Sequence, residues 1–392
     1  MTALSGIDPR TASAEIDLTA LGDNVRAIAA HVAPAEVMVV VKADAYGHGI
    51  VPCARAARAA GAAWLGVATI NEARLLREDG DTGRLLCWLF GEDEDLVVPI
   101  ALDIDIAVHH PAQLSRVVAA AATAGRTARI HLKIDTGLTR NGCPPELWDD
   151  LCSDAVDAAE AGAVEVVAVW SHFAAADDPE HPANAQQLAV FNAAVDRARS
   201  LGLTVGIRHL ANSAAALAMP AAHFELVRVG LAAYGVDPAD GDLAERAGVR
   251  LRPVMRLRAQ LVSTRAIAPG TAISYGHRWT AADSTVVGLV PLGYADGIPR
   301  AASGWGSEPG ASVLVEGSDP RRAPIVGTVC MDQFVVDLGP DAREEAGDEV
   351  TLFGGPDTPG ASDWARACGT IGYEIVTRIG ARVPRTYAGG GQ

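Results

Sequence analysis

Two lysines stand out in this chain, because all its other strongly basic residues are arginines. Lys42 and Lys133 are the only lysines among 32 lysine and arginine residues. A guanidinium stays protonated in proteins, whereas a lysine amine loses its proton once burial or nearby cations depress its pKa. A neutral amine can attack a carbonyl, form a Schiff base or react with carbon dioxide. The composition therefore indicates two positions that need an amine. The alternative is that the two lysines remain by chance in a composition that favours arginine.

The surroundings of Lys42 favour the first interpretation. Lys42 directly follows an apolar run, in the stretch VVVKADAYGHG (39–49). An amine at the end of a buried strand is partly desolvated, which lowers its pKa and favours the nucleophilic form. Tyr46 follows four positions later, and Gly47 and Gly49 permit tight backbone turns close to a ligand. We therefore expect a reactive amine here rather than a side chain that extends into solvent.

Eight short apolar runs form the pattern of elements that must position these lysines. Alanine-rich segments of helical period separate the runs. Continuous apolar strands that alternate with amphipathic helices predict a parallel sheet covered by helices. Eight such units in about 200 residues predict a closed (β/α)8 TIM-type barrel, whose active site lies at the carboxyl ends of the strands. A doubly wound open sheet is the alternative. The runs cover residues 36–42, 64–68, 84–89, 105–110, 128–135, 164–173, 206–212 and 226–230.

The pattern changes after about residue 245. Alternating apolar runs then follow one another, separated by turns such as PG, GS and GG. This pattern predicts an antiparallel β-domain with one helix at 362–369, capped by Ser362 at its start and by Gly369 at its end. The sequence thus predicts an α/β protein in three parts. They are an N-terminal tail or strand at 1–13, the barrel at 14–245 and a β-strand-rich domain at 246–392.

Charge and composition narrow the classes of partner. The net charge of -16 and the pI of about 5.0 argue against nucleic acid and against an anionic membrane surface. No apolar run approaches the roughly 18 residues that span a bilayer, and the first residues lack the pattern of a signal peptide. The six cysteines are scattered without a CxxC pair, which predicts reduced thiols in a cytoplasmic protein. No metal site is expected.

A series of nine motifs runs through both predicted domains. They are KADAYGHG (42–49), HLKIDTGLTRNG (131–142), WSHFAAAD (170–177), RHLANSAA (208–215), RVGLAAYG (228–235), ISYG (273–276), GYADG (293–297), GTVCMDQ (327–333) and IGYEIVTRI (371–379). Together they closely resemble the motifs of the alanine racemases, the pyridoxal-phosphate enzymes of fold type III. Any one motif is a weak signal. Nine motifs in the family's order, spread over nearly the whole chain, make a strong one.

The resemblance implies a binding site for pyridoxal 5'-phosphate in which Lys42 carries the cofactor covalently. Arg228 would face the ring nitrogen of the cofactor. Because a guanidinium cannot accept a proton, it should leave that nitrogen unprotonated, which limits side reactions. Hydroxyl and backbone donors would hold the phosphate. The cofactor-binding residues that the resemblance implies are Lys42, Tyr46, His172, Asn212, Ser213, Arg228, Gly230, Leu231 and Tyr373.

The resemblance also implies how the proton is moved. Racemisation needs one base on each face of the reacting carbon. Lys42 would serve one face, and Tyr275 of the partner subunit would serve the other, backed by His172 and Arg228. Without the resemblance, Tyr275 would be interpreted as an ordinary aromatic residue in a turn.

Further implied residues concern the substrate. Arg140 would bind the substrate carboxylate, and Met331 of the second subunit would offer a backbone N–H. Lys133 would be carbamylated to N6-carboxylysine, and its negative charge would orient Arg140. The alternative for Lys133 is an intact ammonium paired with Asp135.

The resemblance extends to an access corridor formed by Asp177, His209, Tyr294 and Arg300. Family members commonly carry an arginine two residues before the cysteine of the CMD motif, where this chain has Thr328. We therefore expect a different pattern of charges along the corridor and an unchanged catalytic centre.

The resemblance implies a cytoplasmic homodimer that interconverts L-alanine and D-alanine and supplies D-alanine for peptidoglycan. A racemase for serine or for a broader range of amino acids is an alternative. A cofactor carrier without turnover is a further alternative. It is disfavoured because such carriers lack the domain formed by residues 246–392. The sequence does not determine the substrate side chain.

Overall fold

The computed structural model describes residues 7–239, 242–306, 308, 310–355 and 357–389. Strands of these residues form an eight-stranded sheet, a nine-stranded sheet and a two-stranded hairpin. The strands are β1 (Ala12–Asp17), β2 (Glu36–Val40), β3 (Trp64–Thr69), β4 (Arg84–Leu89), β5 (Asp105–Val108), β6 (Ala128–Lys133), β7 (Val164–Trp170), β8 (Ile207–His209), β9 (Leu226–Val229), β10 (Met255–Gln260), β11 (Ser263–Ile267), β12 (Ala272–Ile273), β13 (Trp279–Thr280), β14 (Thr285–Val290), β15 (Ser312–Val315), β16 (Arg321–Val326), β17 (Phe334–Gly339), β18 (Glu349–Phe353) and β19 (Arg385–Ala388). The helices are α1 (Leu18–Val32), α2 (Lys42–Gly47), α3 (Ile50–Ala59), α4 (Ile70–Glu78), α5 (Val97–Ala101), α6 (Pro111–Ala124), α7 (Trp148–Glu160), α8 (Pro182–Ser200), α9 (Ser213–Ala218), α10 (Leu243–Arg246), α11 (Ala361–Cys368) and α12 (Gly372–Thr377).

Strands β2 to β9 form the parallel barrel that the sequence predicts. Neighbouring strands follow the chain order, and β2 pairs with both β3 and β9. The sheet therefore curls into a nearly closed barrel with β8 and β9 at its seam. A doubly wound sheet would reverse its order at a switch point, and these pairings exclude it. The carboxyl ends of the eight strands consequently open at one end of the barrel.

Side-chain caps define the starts of two helices on the outside of the barrel. Asp17 accepts a hydrogen bond from the backbone N–H of Ala20 across 2.9 Å at the start of α1. Thr69 and Glu72 form a reciprocal capping box at the start of α4. Within the residues described above, no helix is both long enough and apolar enough to cross a membrane.

The second domain is the antiparallel β-domain that the sequence predicts. Its sheet has the strand order β11-β14-β17-β16-β15-β18-β10-β1-β19. Every pair is antiparallel except β1 with β19. Strands β10 and β17 alternate buried and partly buried residues, as expected for a sheet with one face on the core. The hairpin β12–β13 is separate from this sheet.

The start of the chain differs from the expectation. Ala12 and Ser13, which were predicted to lie in an N-terminal tail or strand, are completely buried in β1. Strand β1 pairs with β10 and β19, so residues 14–17 belong to the second sheet and not to the barrel. Because α1 of the barrel follows β1 immediately, this strand ties the two domains together. The division at residue 245 stays a prediction.

The end of the chain contains two helices where the sequence predicted one. The predicted helix corresponds to α11, which begins at Ala361, so Ser362 is not its cap. The backbone N–H of Gly360 donates to Asp363 across 2.8 Å instead. Gly369 ends the helix in the left-handed conformation, as expected. The additional helix, α12, carries Tyr373, and its β-branched residues concealed its helical character.

Candidate active site

A cavity of about 670 Å³ opens at the carboxyl ends of the barrel strands. All nine residues that the sequence assigned to cofactor binding line it, together with Lys133 and Arg140. The other lining residues are Val40, Ala43, Ala68, Trp88, Leu89, Asn141, Trp170 and Thr377. A site assembled from motifs that lie far apart in the chain is therefore brought together by the closure of the barrel.

Lys42 lies in this cavity, at the start of an unusual turn. The four residues 43–46 all have φ between 53° and 55°, so α2 is left-handed over most of its length. Non-glycine residues adopt this conformation only at a cost of roughly 1–2 kcal/mol each. Side chains hold the turn in place. Glu72 of the α4 capping box accepts from the N–H of Ala43 across 2.7 Å, and Asp44 accepts from the N–H of Ile50 across 2.8 Å.

The electrostatic surroundings of Lys42 favour a neutral amine. Burial is the main cause that lowers its pKa, and the positive charges of Arg140 and Arg228 add to the effect. Glu72 opposes the shift. The Nζ atom lies 5.9 Å from the ring centre of Trp88. Lys42 thus meets the condition for a nucleophile that the sequence suggested.

Hydroxyl groups and backbone donors converge on one side of the cavity. Ser213 Oγ accepts from the backbone N–H of Gly230 across 2.9 Å. The ring centres of Tyr46 and Tyr373 lie 6.2 Å apart. Burial raises the pKa of both phenols, that of Tyr373 to about 12, so both keep the protons that they can donate. A Cβ at position 230 would collide with the Tyr46 hydroxyl, so glycine is what allows this hydroxyl to lie so close to the backbone.

Arg228 forms the inner wall of the cavity and is only 4% exposed. Its Nη1 atom donates to the carbonyl oxygen of His209 across 2.9 Å, and its Nη2 atom donates to Nδ1 of His172 across 3.0 Å. Further bonds lead from Nη2 to the carbonyl oxygens of Ser171 and Leu210. Burial lowers the pKa of Arg228 to about 9. None of the described carboxylates lies within ion-pair distance of Arg228.

His209 does not belong to the access corridor, to which the resemblance assigned it. It is completely buried. Its Nδ1 atom lies 3.1 Å from Nη1 of Arg228, and its ring stacks on Trp170 with the centres 5.2 Å apart. On its other side, Nε2 lies 2.9 Å from Nδ1 of His131, whose Nε2 lies 3.1 Å from Asp105. His209 therefore supports Arg228 inside the barrel.

Lys133 lines the cavity from a buried position and is only 6% exposed. Its Nζ atom donates to Asn141 Oδ1 across 2.8 Å and lies 4.4 Å from the ring centre of Trp170. Burial, followed by the charges of Arg228 and Arg140, lowers its pKa to about 7. Asp135 accepts from backbone N–H groups of its own loop instead. The expected alternative, an ammonium paired with Asp135, is therefore not found.

The second proposed base and the remaining corridor residues lie outside the cavity of their own chain. Tyr275 is 74% exposed and Met331 is 53% exposed, both in the second domain. Asp177, Tyr294 and Arg300 are also exposed. The loops of Tyr294 and Met331 are joined by backbone bonds, from the N–H of Tyr294 to Cys330 and from the N–H of Ala295 to Met331.

Sequence reasoning missed the two tryptophans of the site. Trp88 and Trp170 lie at the carboxyl ends of β4 and β7, and both line the cavity. The ring of Trp170 contacts two cations, because Cζ of Arg228 lies 4.9 Å from its centre and Lys133 contacts it as well. Their position at strand ends of a predicted barrel was the signal that could have identified them.

Two family models match the chain. The model described as "Alanine racemase, N-terminal domain" matches residues 16–238, and the model described as "Alanine racemase, C-terminal domain" matches residues 254–387. An alanine racemase of Frankia casuarinae is 50% identical over 377 residues, which cover 95% of each chain. One of Streptomyces coelicolor is 50% identical over 383 residues, which cover 96% of this chain and 95% of the relative.

Solved structures of alanine racemases also resemble this chain. The crystal structure of an alanine racemase from D-cycloserine-producing Streptomyces lavendulae has a TM-score of 0.92 to this chain and 51% sequence identity, and the match covers 98% of each chain. An alanine racemase from Streptomyces coelicolor A3(2) has a TM-score of 0.92 and 49% identity. That match covers 97% of this chain and 99% of the other.

Proposed function

The chain belongs to the alanine racemase family, and from this premise we propose that it uses pyridoxal 5'-phosphate to interconvert L-alanine and D-alanine. The observation that carries the proposal is the placement of Lys42. Its amine, with a lowered pKa, shares one cavity with the buried Arg228 and with a cluster of hydroxyl donors. A cytoplasmic location and the supply of D-alanine for peptidoglycan are implied by the family and stay predictions.

The residues of the cavity fit this cofactor. An unprotonated lysine amine can join an aldehyde, and the hydroxyls of Tyr46, Ser213 and Tyr373 suit a phosphate. The missing side chain at Gly230 lets the Tyr46 hydroxyl lie close to the backbone, so that hydroxyl and backbone donors could serve the same phosphate. When bound, pyridoxal phosphate draws electron density away from the Cα–H bond of the amino acid, so that a modest base can remove the proton.

Arg228 would tune the ring of the cofactor. Its hydrogen bonds to the described residues all start from Nη1 and Nη2, and its Nε–H would meet the ring nitrogen. Since Arg228 can only donate hydrogen bonds, it would keep that nitrogen unprotonated. Both neighbouring histidines must then accept from it through Nδ1, which agrees with the lowered pKa of His172 and of His209.

Two groups would handle the proton on opposite faces of Cα. Lys42 Nζ would hold it on one face, and the phenol of Tyr275 on the other. Because Tyr275 and Met331 are largely exposed in a single chain, we infer that each completes the cavity of a partner subunit. The proposed protein is therefore a homodimer in which every active site uses two chains.

Arg140 would bind the carboxylate of the substrate, with Lys133 as its support. We propose that Lys133 is carbamylated. Its amine nitrogen attacks carbon dioxide, an N–C bond forms as one C=O π bond breaks to leave a negatively charged oxygen, and the nitrogen releases one proton to solvent. The pKa of about 7 leaves much of the amine neutral near pH 7, as this reaction needs. The product carries a negative charge, which the charges of Arg228 and Arg140 that act on this position would stabilise.

Chiral chromatography of the products tests the proposal. The cofactor-loaded protein, incubated with L-alanine or D-alanine, should reach the same mixture from either side. Serine and larger amino acids, assayed in parallel, define the substrate range. Borohydride reduction of the loaded protein should place the cofactor on a peptide that contains Lys42. A label on Lys133 would overturn the assignment of the two lysines, and a loaded protein that racemises no amino acid would overturn the function.

A further inference from the structure

The hairpin that carries Tyr275 is short and strained. It consists of β12 and β13, with two residues each, and its sheet contains no other strand. In the turn between them, Ser274 has φ 62° and ψ -172°, Gly276 has φ 76° and His277 has φ 45°. Ser274 and His277 are not glycines, and such conformations persist only where surrounding contacts hold them. The contacts around this turn therefore determine the position of Tyr275.

Thr328 and Ser274 supply a reciprocal pair of hydrogen bonds. The hydroxyl of Thr328 donates to the backbone oxygen of Tyr275 across 2.9 Å. The hydroxyl of Ser274 donates to the backbone oxygen of Thr328 across 2.7 Å. Thr328 is only 4% exposed, so water does not compete for its hydroxyl. Gly327 permits this close approach, because a Cβ at that position would lie 2.8 Å from the backbone oxygen of Ile273.

The segment 327–331 connects the turn to the rest of the second domain. Gly327 forms an isolated bridge with Gly304, and the N–H of Val329 donates to Ser303 across 2.9 Å. The same segment ends at Met331. The two groups that would reach the partner's cavity, Tyr275 and Met331, therefore depend on one stretch of backbone.

We propose that Thr328 is a positioning residue for Tyr275, and this rests on the proposed role of Tyr275 as the second base. The Thr328 hydroxyl holds the strained turn in the orientation in which the phenol meets the partner's substrate. The resemblance implies a corridor arginine at this position. The threonine is instead buried and bound to the turn itself, so here the position serves the base rather than the corridor.

Thr328→Val and Thr328→Ser separate the hydroxyl from the shape of the side chain. Valine keeps the shape and removes the donor, whereas serine keeps the donor. In the cofactor-loaded Thr328→Val dimer, amide hydrogen exchange of residues 274–277 should become faster. The kcat of racemisation should fall roughly tenfold or more, with little change in KM, because a misplaced base slows proton transfer far more than binding. Thr328→Ser should restore both quantities.

Deuterium exchange in heavy water isolates the affected face. In Thr328→Val, one alanine enantiomer should gain Cα deuterium without inversion. Lys42 still exchanges the Cα proton on its face, while Tyr275 transfers a proton poorly to the opposite face. The other enantiomer should lose exchange and inversion together. Equal effects on both enantiomers, wild-type amide exchange, or a Thr328→Ser variant as impaired as Thr328→Val would overturn the proposal.

Tyr275→Phe makes the two possible failures distinguishable. If Tyr275→Phe racemises like the wild type, the second base is wrongly assigned. If Tyr275→Phe loses racemisation while Thr328→Val behaves like the wild type, only the positioning role is wrong. If Thr328→Val does not form a folded dimer, Thr328→Ala replaces it in each measurement, and the same results support or overturn the proposal.

Discussion

Arg228 and His209 meet across 3.1 Å in the interior of the barrel, the guanidinium donating to Nδ1 of the imidazole. This contact makes the direction of the remaining bonds unambiguous. With Nδ1 accepting, a neutral His209 carries its proton on Nε2 and donates to His131, which in turn donates to Asp105. Arg84 and Arg129 stabilise the Asp105 carboxylate from the far side. The cavity wall is thus supported by a buried polar chain.

His209→Leu should therefore destabilise the protein and disturb its cofactor site. It leaves an Arg228 N–H without an acceptor in the core, at a cost of about 1–3 kcal/mol. His209→Asn is the matched control, since its amide oxygen can accept in place of Nδ1. Urea unfolding at fixed protein concentration, together with the visible absorption of the bound cofactor, measures both effects. Equal stability of the leucine and asparagine variants would contradict the supporting role of this bond.

Carbamylation of Lys133 should depend on pH in a defined direction. The folded protein lowers the pKa of this amine from 10.5 to about 7. Only the neutral amine takes up carbon dioxide, so the modification should be present above about pH 7 and be lost below roughly pH 6. An unperturbed lysine would require a pH above 10.

Carbon-13 magnetic resonance with labelled bicarbonate detects the carbamate directly. The wild type and Lys42→Arg should show its signal, and Lys133→Arg should lack it. In Lys133→Ala, the KM for alanine should rise and should recover partly when chloride or a small carboxylate replaces the lost negative charge. A signal that survives Lys133→Arg would assign the modification elsewhere.

Gly230→Ala should weaken cofactor binding without unfolding the barrel. The new methyl group would overlap the Tyr46 hydroxyl, and overpacking of this kind costs about 1–3 kcal/mol, or roughly ten- to a hundredfold in affinity. Gly206→Ala is the control, because the nearest atom to its Cβ is 3.7 Å away. Equilibrium titration with pyridoxal phosphate measures both. Equal affinities would show that cofactor binding does not depend on the position of the Tyr46 hydroxyl.

Much of the architecture could be predicted from local sequence signals. Apolar β-branched runs and helical spacing indicated the barrel, and motifs at strand ends brought Lys42, Ser213 and Arg228 into one cavity. Non-local pairing was harder to foresee. Strand β1 pairs with β10, with Ala12 opposite Ala259, and the residues of β1 do not by themselves indicate which strand it pairs with.

Orientation at the end of a strand was also beyond the sequence. The resemblance assigned His209 to the corridor, but its side chain points into the barrel toward Arg228. The left-handed turn after Lys42 could not be predicted either, since the residue types of Ala43, Asp44 and Ala45 do not indicate a run of positive φ. Tertiary bonds, such as that from Glu72 to Ala43, impose that conformation.

Each active site, as proposed, combines Lys42 of one chain with Tyr275 of another. Mixing two inactive proteins, Lys42→Ala and Tyr275→Ala, tests it most directly. A mixed dimer would contain one site with both lesions and one site with neither. Racemisation should therefore return as subunits exchange, to roughly one quarter of the wild-type rate for an equal mixture, and should vanish on dilution below the dimer dissociation constant. Mixed dimers that demonstrably form and stay inactive would contradict the shared site.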